Sequence, residues 1–134
     1  MNNVQFATAI HILTLLASFK DSLSSTYIAG SINTNPAVVR KSLSILSQHG
    51  LVETKEGKGG GARLAKPADQ IVLGDVYRAI IDTPLLGRFN DPNPACQIGR
   101  QINVHLNKLY GYADEALVRK LSTITLTDFS KQFN

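Results

Sequence analysis

Apolar side chains recur mostly every three positions near the start of the chain, between residues 3 and 19, with one neighbouring pair. That is the spacing of one face of an α-helix, so we predict a core helix over this segment. The apolar face consists of Val4, Ala7, Ile10, Leu13, Leu16 and Ala17.

A second and shorter helix is predicted to end at Ile32. Ser24 and Ser25 are both suitable N-caps for it, because a serine hydroxyl accepts a hydrogen bond from a free backbone N–H of the first turn. The pattern of apolar positions directs Tyr27 and Ile28 toward the core.

A polar break at residues 33–36 leads into a third helix. Asn35 is a favourable N-cap, and Pro36 suits the first helical position, where no backbone N–H is needed. We predict that this helix reaches about His49 and ends at Gly50, a residue that readily adopts the left-handed conformation that follows a helix. The side chains expected to face the core are Val39, Leu43, Ile45 and Leu46.

A glycine-rich basic hairpin is predicted next, with strands at residues 51–54 and 62–65. The segment between them, residues 55–61, has the sequence Lys-Glu-Gly-Lys-Gly-Gly-Gly, whose glycines permit a tight turn and a close backbone approach. It matches neither Gly-x-x-x-x-Gly-Lys-Ser/Thr nor Gly-x-Gly-x-x-Gly, which disfavours a nucleotide-binding enzyme loop. The order helix, turn, helix and hairpin is typical of a winged helix-turn-helix.

The second half of the chain predicts two further helices around a loop. A short helix is expected at residues 73–81, followed by a proline-rich loop at 82–94 and a long helix at 97–122. The long helix carries one apolar stripe, which we expect to pair with its twin in a homodimer, because a chain of this size has little left to cover it. Packing of the stripe on its own core is the alternative. The stripe consists of Ile98, Ile102, Leu106, Leu109, Ala113, Leu117 and Leu121.

The tail of the chain predicts one more short helix. Thr125 is expected to cap it, with Asp128 at its third position. Ile124 and Phe129 have the spacing of a hydrophobic staple. This helix is therefore expected to pack against the body of the domain.

The predicted fold class is mainly α with a small β-hairpin, a winged helix-turn-helix with a long C-terminal dimerisation helix. The length of 134 residues suits one domain with an appendage, and the hydrophobic content of 43% supports a core. We predict a winged helix-turn-helix DNA-binding domain at residues 1–82, a connecting loop at 83–96, and the dimerisation and C-terminal helices at 97–134.

The positive charge of the chain is concentrated in its first half. Residues 1–66 hold seven cations and three anions, whereas residues 67–134 hold seven of each, so the whole net charge of +4 arises beside the helix-turn-helix pattern. A one-sided basic excess is typical of proteins that bind polyanions. Ordinary scatter of surface charge is the alternative explanation.

Double-stranded DNA is the polyanion that suits this pattern, because the major groove accepts one helix and base contacts come from its N-terminal turns. Arg40 is expected to pair with a guanine or to bind a phosphate, and Lys41 to bind a phosphate. The hairpin tip is expected to enter a minor groove or to follow phosphates. A solvated helix face without a partner is the alternative. The candidate DNA-contacting residues are Ser25, Thr26, Asn35, Ala37, Val38, Arg40, Lys41, Ser42, Lys55, Lys58, Gly59, Gly60 and Arg63.

The remaining composition narrows the function further. The longest apolar run, residues 9–17, is too short to cross a bilayer. The first residues lack the basic region of a secretory signal, so we expect a cytoplasmic protein with no membrane partner. No nucleophile–base set, metal-ligand motif or pair of carboxylates stands out, so we expect no enzyme activity, no catalytic residue and no metal site.

Four motifs resemble the Rrf-two family (IscR/NsrR-like) of bacterial winged-helix transcription regulators, and together they cover nearly the whole chain. The resemblance implies a homodimer that binds an imperfectly palindromic operator and usually represses. The predicted function is therefore a sequence-specific DNA-binding transcription regulator, a repressor acting as a homodimer; a winged-helix protein-interaction module that does not bind DNA is the alternative. The motifs are Leu43-x-x-Leu46-x-x-x-Gly50-Leu-Val, Gly57-Lys-Gly-Gly-Gly-Ala-Arg-Leu-Ala65, residues 71–80 and residues 121–129.

Cys96 is the only cysteine of the chain, which excludes an intrachain disulfide. Many members of the resembling family hold an iron–sulfur cluster with three cysteines in and after this loop, and a cluster needs about four ligands. Cys96 and His105, the nearest other candidate, do not supply them, so the sequence resembles a cluster-free member with no cofactor. Cys96 is a candidate redox sensor through its thiolate, an incidental surface cysteine being the alternative. No effector is indicated.

Overall fold

The computed structural model describes residues 3–133. These residues form helices and one antiparallel hairpin, joined by short turns and one longer loop. The elements in chain order are α1 (Gln5–Ser18), α2 (Ser25–Ile32), α3 (Pro36–Gln48), β1 (Val52–Lys55), β2 (Gly61–Leu64), a 3₁₀ turn (Ala68–Gln70), α4 (Leu73–Ile80), α5 (Gly99–Leu121) and α6 (Leu126–Ser130).

Helix α1 is the centre of the core. Its residues Ala9, Ile12 and Leu13 are fully buried, and the helix contacts α2, α3, α4, α6 and β2. Burial of such apolar side chains is the main favourable contribution to folding, worth about 1.5–3 kcal/mol for each large one. The positions of α2, α3 and the hairpin therefore depend on this one helix.

Local capping signals place the ends of α2 and α3. Ser24, rather than Ser25, caps α2, because its side chain accepts a hydrogen bond from the Tyr27 N–H at 3.0 Å. Asn35 caps α3 by accepting from the Ala37 N–H at 2.8 Å, as predicted. Gly50 has a φ of 73°, which confirms the predicted left-handed residue after α3.

The core face of α3 agrees with prediction, whereas one assignment in α2 was wrong. Val39, Leu43 and Leu46 are buried, and Ile45 is half-buried against the same core. Tyr27 is half exposed instead of facing inward, and its ring packs edge-on against Phe19. The second helix is only two turns long, so its period could not distinguish the core face from the flank next to it.

The hairpin pairs Val52 with Leu64 and Lys55 with Gly61, one residue away from the predicted limits of both strands. Its returning strand also pairs with the segment before α2. Leu23 and Ala62 exchange two backbone hydrogen bonds of 3.0 and 2.8 Å. The base of the hairpin is thus fixed to the entrance of α2, which joins the wing to the helix-turn-helix.

Helix α5 extends away from the core for most of its 23 residues, about 34 Å at the usual rise per residue. Val118, near its C-terminal end, is the only residue of this helix that is buried in the chain. None of the helices in the described part of the chain is long and apolar enough to cross a membrane.

The C-terminal helix α6 returns to the winged-helix core. Leu126 is fully buried, and its N–H donates to the carbonyl of Ile71 at 2.8 Å. The Leu73 N–H donates to the carbonyl of Ile124 at 2.9 Å. The predicted division at residues 82 and 97 stays a prediction, and its outer limits, residues 1 and 134, lie outside the described range.

Helix α6 begins with the capping box that the sequence predicts. The Thr125 hydroxyl accepts from the Asp128 N–H at 3.0 Å, and the Asp128 carboxylate accepts from the Thr125 N–H at 3.1 Å. The bond from the Thr125 backbone, reinforced by the Thr125 side chain and the charge of Lys131, lowers the pKa of Asp128 from its ordinary value of 3.8. The ionised carboxylate therefore stabilises the folded state.

We expect Asp128→Asn to lower the melting temperature at neutral pH. Because the folded pKa lies below the unfolded one, this contribution is present above pH 3.8 and is lost as the pH falls through the folded pKa. The deficit of the variant should therefore shrink in thermal melts recorded below about pH 4. Asp91→Asn, at an exposed loop position, is the control. A deficit that stays constant down to pH 2 would contradict the expectation.

Candidate nucleic-acid interface

A cleft of about 370 Å³ lies between α3 and the hairpin. It brings together three predicted contact residues from three different elements, Ser25 of α2, Arg40 of α3 and Lys55 of β1. Ser44, Ser47, Gln48, Thr54 and Glu56 also line it, so its wall combines two cationic groups and one carboxylate with hydroxyl and amide groups. Such a wall suits a phosphate backbone.

The N-terminal turns of α3 are presented to solvent. Ala37, Val38, Arg40 and Lys41 are exposed, whereas Ser42 is half-buried. Asn35 has a structural role already, since its side-chain oxygen caps the helix. Cations in the exposed turns of a helix are available to a partner that lies along it.

Arg40 and Lys41 lie on different sides of α3. Arg40 lines the cleft beside the hairpin, whereas Lys41 and Ser42 line a smaller cleft of about 170 Å³ next to the N-terminal end of α1. Val38 lines this second cleft too. The predicted contacts of α3 therefore form two edges on either side of an exposed ridge.

The sequence analysis omitted polar residues further along the same ridge. Ser44 and Gln48 are exposed, and they follow Arg40 and Lys41 at the helical spacings of four and seven residues. The helical spacing could therefore have identified both residues as part of the exposed face, but the sequence analysis considered only the first turns of the helix.

The glycine turn fixes the tip of the hairpin. The Gly60 N–H donates to the carbonyl of Gly57 at 3.0 Å. A Cβ atom at position 60 would lie 2.2 Å from the carbonyl oxygen of Lys55, so only glycine fits there. The turn presents Lys58, with Gly59 beside it, at the exposed end of the wing.

Arg63 is an exposed hairpin cation that already has a partner in its own chain. Its Nε donates to the Glu53 carboxylate at 2.6 Å, across a directly paired position of the two strands. Both side chains are at least half exposed, so the ion pair contributes at most about 1 kcal/mol to stability. Its main effect is to orient the guanidinium and to offset part of its charge.

The predicted stripe on α5 is largely uncovered by its own chain. Ile98, Ile102 and Leu109 are 69%, 38% and 55% exposed. Leu106, Ala113 and Leu117 are half-buried, and Leu121 packs against the core. The sequence analysis omitted two exposed side chains of this helix. Val104 lies off the stripe, whereas Tyr112 lies three residues after Leu109 and flanks it.

The loop before α5 is held against that helix by side chains. The rings of Phe89 and Tyr110 are 4.9 Å apart, and the Tyr110 hydroxyl donates to the carbonyl of Arg88 at 3.3 Å. Asn103 Nδ2 donates to the carbonyl of Asn90 at 2.9 Å. The predicted loop therefore has a defined path along α5.

Cys96 is exposed at the end of this loop. Its sulfur accepts a hydrogen bond from the Gly99 N–H at 3.4 Å, and its carbonyl accepts from the Arg100 N–H at 3.0 Å. Both bonds resemble those that a helix N-cap makes, but they lie in the turn that precedes α5. Within residues 3–133, no three His, Cys, Asp or Glu side chains are grouped so that they could hold a metal ion.

A family model matches residues 3–132 and is described as Rrf2, iron-dependent transcriptional regulator. It corresponds to the Rrf-two resemblance of the sequence. The residues present here do not fit an iron site, because Cys96 is the single cysteine and no three His, Cys, Asp or Glu side chains are grouped in the described range. We therefore assign no iron-dependent step to this chain.

Full-length relatives support the same assignment. The chain is 36% identical over 129 residues to YwnA of Bacillus subtilis (strain 168), a candidate HTH-type transcriptional regulator, with 96% of each protein covered. The crystal structure of a candidate DNA-binding protein superposes with a TM-score of 0.73 at 32% identity, covering 93% of this chain and 97% of that one.

The fold alone is also shared with CymR of B. subtilis, described as the global cysteine regulator. That structure superposes with a TM-score of 0.72 at 22% identity, over 100% of this chain and 98% of the other. The predicted fold class agrees with the matched structures, and the family model and the relative are described as transcriptional regulators, not as enzymes. The family model and the relatives establish that the chain belongs to the Rrf2 family of transcriptional regulators.

Proposed function

We propose that this regulator binds double-stranded DNA through α3 and the hairpin, and that it recognises a specific operator. The observation that carries the proposal is the cleft that joins Ser25, Arg40 and Lys55 beside the exposed turns of α3. A helix of this width fits the major groove, and the hairpin then lies over the adjacent backbone.

Arg40 and Lys41 take different roles because they lie on different edges of α3. Arg40 reads a guanine or clamps a phosphate, since a guanidinium forms paired hydrogen bonds. Lys41 binds the phosphate on the other side as a point charge. Ala37 is exposed between them, and Val38 is exposed on the edge that carries Lys41. Both offer apolar contact to the methyl group of thymine.

The start of α2 supplies a third contact to the backbone. Ser25 lines the cleft and Thr26 is exposed, and both belong to the first turn of a helix. Backbone N–H groups at a helix N-terminus attract anions. We assign this end to a phosphate, with the two hydroxyls as donors.

The hairpin acts as a wing. Lys55 and Lys58 carry its charge, and the tight turn at Gly59 and Gly60 lets its tip approach a groove closely. Arg63 binds a phosphate while Glu53 holds its Nε. This arrangement reads no base directly and adds affinity through charge.

We further propose that the protein is a cytoplasmic homodimer. The exposed stripe of α5 includes Ile98, Ile102 and Leu109, and pairing with the same stripe of a second copy removes these side chains from water. A two-fold dimer places two recognition helices on one operator, so that operator is an imperfect palindrome. Bound across a promoter, such a dimer represses transcription.

We expect the double variant Arg40→Ala/Lys41→Ala to bind operator DNA at least about tenfold more weakly than the parent protein. It should also lower the slope of log affinity against log salt by about 1 for the phosphate contact of Lys41, and by about 2 if Arg40 binds a phosphate as well. Fluorescence anisotropy at several salt concentrations, with an operator selected from genomic fragments, measures both quantities.

The matched control is Lys108→Ala/Arg119→Ala, which removes one lysine and one arginine from exposed positions of α5. It should bind as the parent protein does. Full binding by a folded Arg40→Ala/Lys41→Ala protein would exclude α3 as the recognition helix. Failure of the parent protein to retain any DNA would favour a winged-helix module with a protein partner.

We expect Leu109→Lys to convert the dimer to a monomer, because a lysine ammonium in an apolar interface loses its hydration without a partner. Leu109 is 55% exposed in the single chain, so the variant should still fold. Light scattering gives the mass, and affinity for a palindrome should fall at least about tenfold through loss of bivalent binding. Val104→Lys is the control, since Val104 is 72% exposed and lies off the stripe; equal masses for both variants would exclude this interface.

We expect Cys96→Ser to bind the operator as tightly as the parent protein under reducing conditions, because a serine oxygen also accepts a hydrogen bond from Gly99. Comparing the two proteins before and after mild peroxide treatment tests the redox role. If only the parent protein loses affinity on oxidation, and thiol reduction restores it, Cys96 is a sensor. If both respond alike, the cysteine has no sensing role.

A further inference from the structure

Helix α4 connects the recognition helix to the long helix. It contacts α3 on one side and α5 on the other, and its residues Leu73, Val76 and Ile80 are buried in the core. Any change in the angle between α4 and α5 therefore changes the angle between α3 and the proposed dimer axis.

The two helices meet most closely at Gly74. A Cβ atom there would displace the Ser122 hydroxyl and would lie 3.0 Å from the carbonyl oxygen of Val118, so a larger residue would require the Ser122 side chain to rotate and the backbones to separate slightly. Val118 is also the only buried residue of α5. This crossing is thus the point about which α5 would pivot.

A second contact lies about one turn away along both helices. The Tyr77 hydroxyl donates to Asp114 Oδ1 at 3.2 Å, and the Tyr77 ring packs edge-on against Phe6 of α1 at 6.0 Å. Burial and the adjacent Asp114 charge raise the pKa of Tyr77, so the hydroxyl stays protonated and continues to donate. This hydrogen bond therefore adds resistance to rotation of α5 about the crossing at Gly74.

The free part of α5 amplifies small rotations at this crossing. From Asp114 to Ile98 the helix extends about 24 Å, at 1.5 Å per residue, and none of its described residues in that stretch is buried. A tilt of roughly 8° would therefore move the far end by about 3.4 Å, the rise of one base pair.

We propose that the α4–α5 crossing, closed by Gly74 and by the Tyr77–Asp114 hydrogen bond, sets the half-site spacing that the dimer accepts in its operator. The inference rests on the proposed dimeric DNA binding. Tyr77 and Asp114 are positioning residues: they contact no DNA, and they act through the angle at which each protomer presents α3.

The test uses operators whose two half-sites are moved apart or together by single base pairs. Tyr77→Phe keeps the ring against Phe6 but removes the hydrogen bond, and Asp114→Ala removes the acceptor. For both variants the preference for the best spacing over its neighbours should fall at least about threefold, the effect of one net hydrogen bond. Affinity for an isolated half-site should not change.

Two matched proteins separate this role from a structural one. Asp114→Asn keeps an acceptor oxygen and should retain the spacing preference of the parent protein. Tyr112→Phe removes a hydroxyl from an exposed ring of the same helix and should behave as the parent does. Unchanged preferences in both Tyr77→Phe and Asp114→Ala would overturn the inference.

A readout without DNA distinguishes failure of this inference from failure of the proposed function. A spin label at position 18, introduced as Ser18→Cys in a Cys96→Ser background, reports the distance between the two α1 helices of a dimer. The parent protein should give one narrow distance distribution, and Tyr77→Phe a broader one. Equal widths, or no distance because the protein is monomeric, would overturn the inference even if the parent protein bound DNA normally.

Discussion

Burial of one face of α1 is the interaction on which the rest of the structure depends. Ala9, Ile12 and Leu13 have no exposed surface, and around them pack α2, α3, α4, α6 and the returning strand of the hairpin. None of these elements is long enough to be a stable helix or hairpin alone in water. One face of α3, with Val39 and Leu46, is buried in this core, and its opposite face is therefore exposed as the ridge.

The second constraint is the division of α5 between two environments. Its C-terminal end shares the core through Val118 and Leu121, while its N-terminal two-thirds keeps apolar side chains in water. A single chain therefore has an incomplete hydrophobic surface, and the proposed dimer completes it without rearranging the core. The proposed DNA-binding elements, α3 and the hairpin, therefore belong to the core, whereas the proposed dimer contact lies on the part of α5 that extends away from the core.

The sequence predicted features that depend on neighbours along the chain. The caps Asn35 and Thr125 and the left-handed Gly50 follow from local hydrogen bonding and backbone preference. Features that depend on distant pairing were missed. Leu23 bridges to Ala62, and Tyr77 reaches Asp114 across 37 positions; neither pair leaves a periodic signal. In the candidate site, the cationic residues of α3 and the hairpin were identifiable, but the partner of Arg63 depended on the register of the two strands.

The loop before α5 shows how this member of the family can keep its shape with one cysteine. Its path is explained by contacts within the chain: Phe89 on Tyr110, the Tyr110 hydroxyl on Arg88, and Asn103 on the carbonyl of Asn90. An aromatic pair contributes about 0.5–1.5 kcal/mol beyond its buried area, and each net hydrogen bond a similar amount. These contacts within the chain account for the path of the loop up to the start of α5. Cys96 is exposed where the loop joins the helix, two residues before the stripe begins at Ile98.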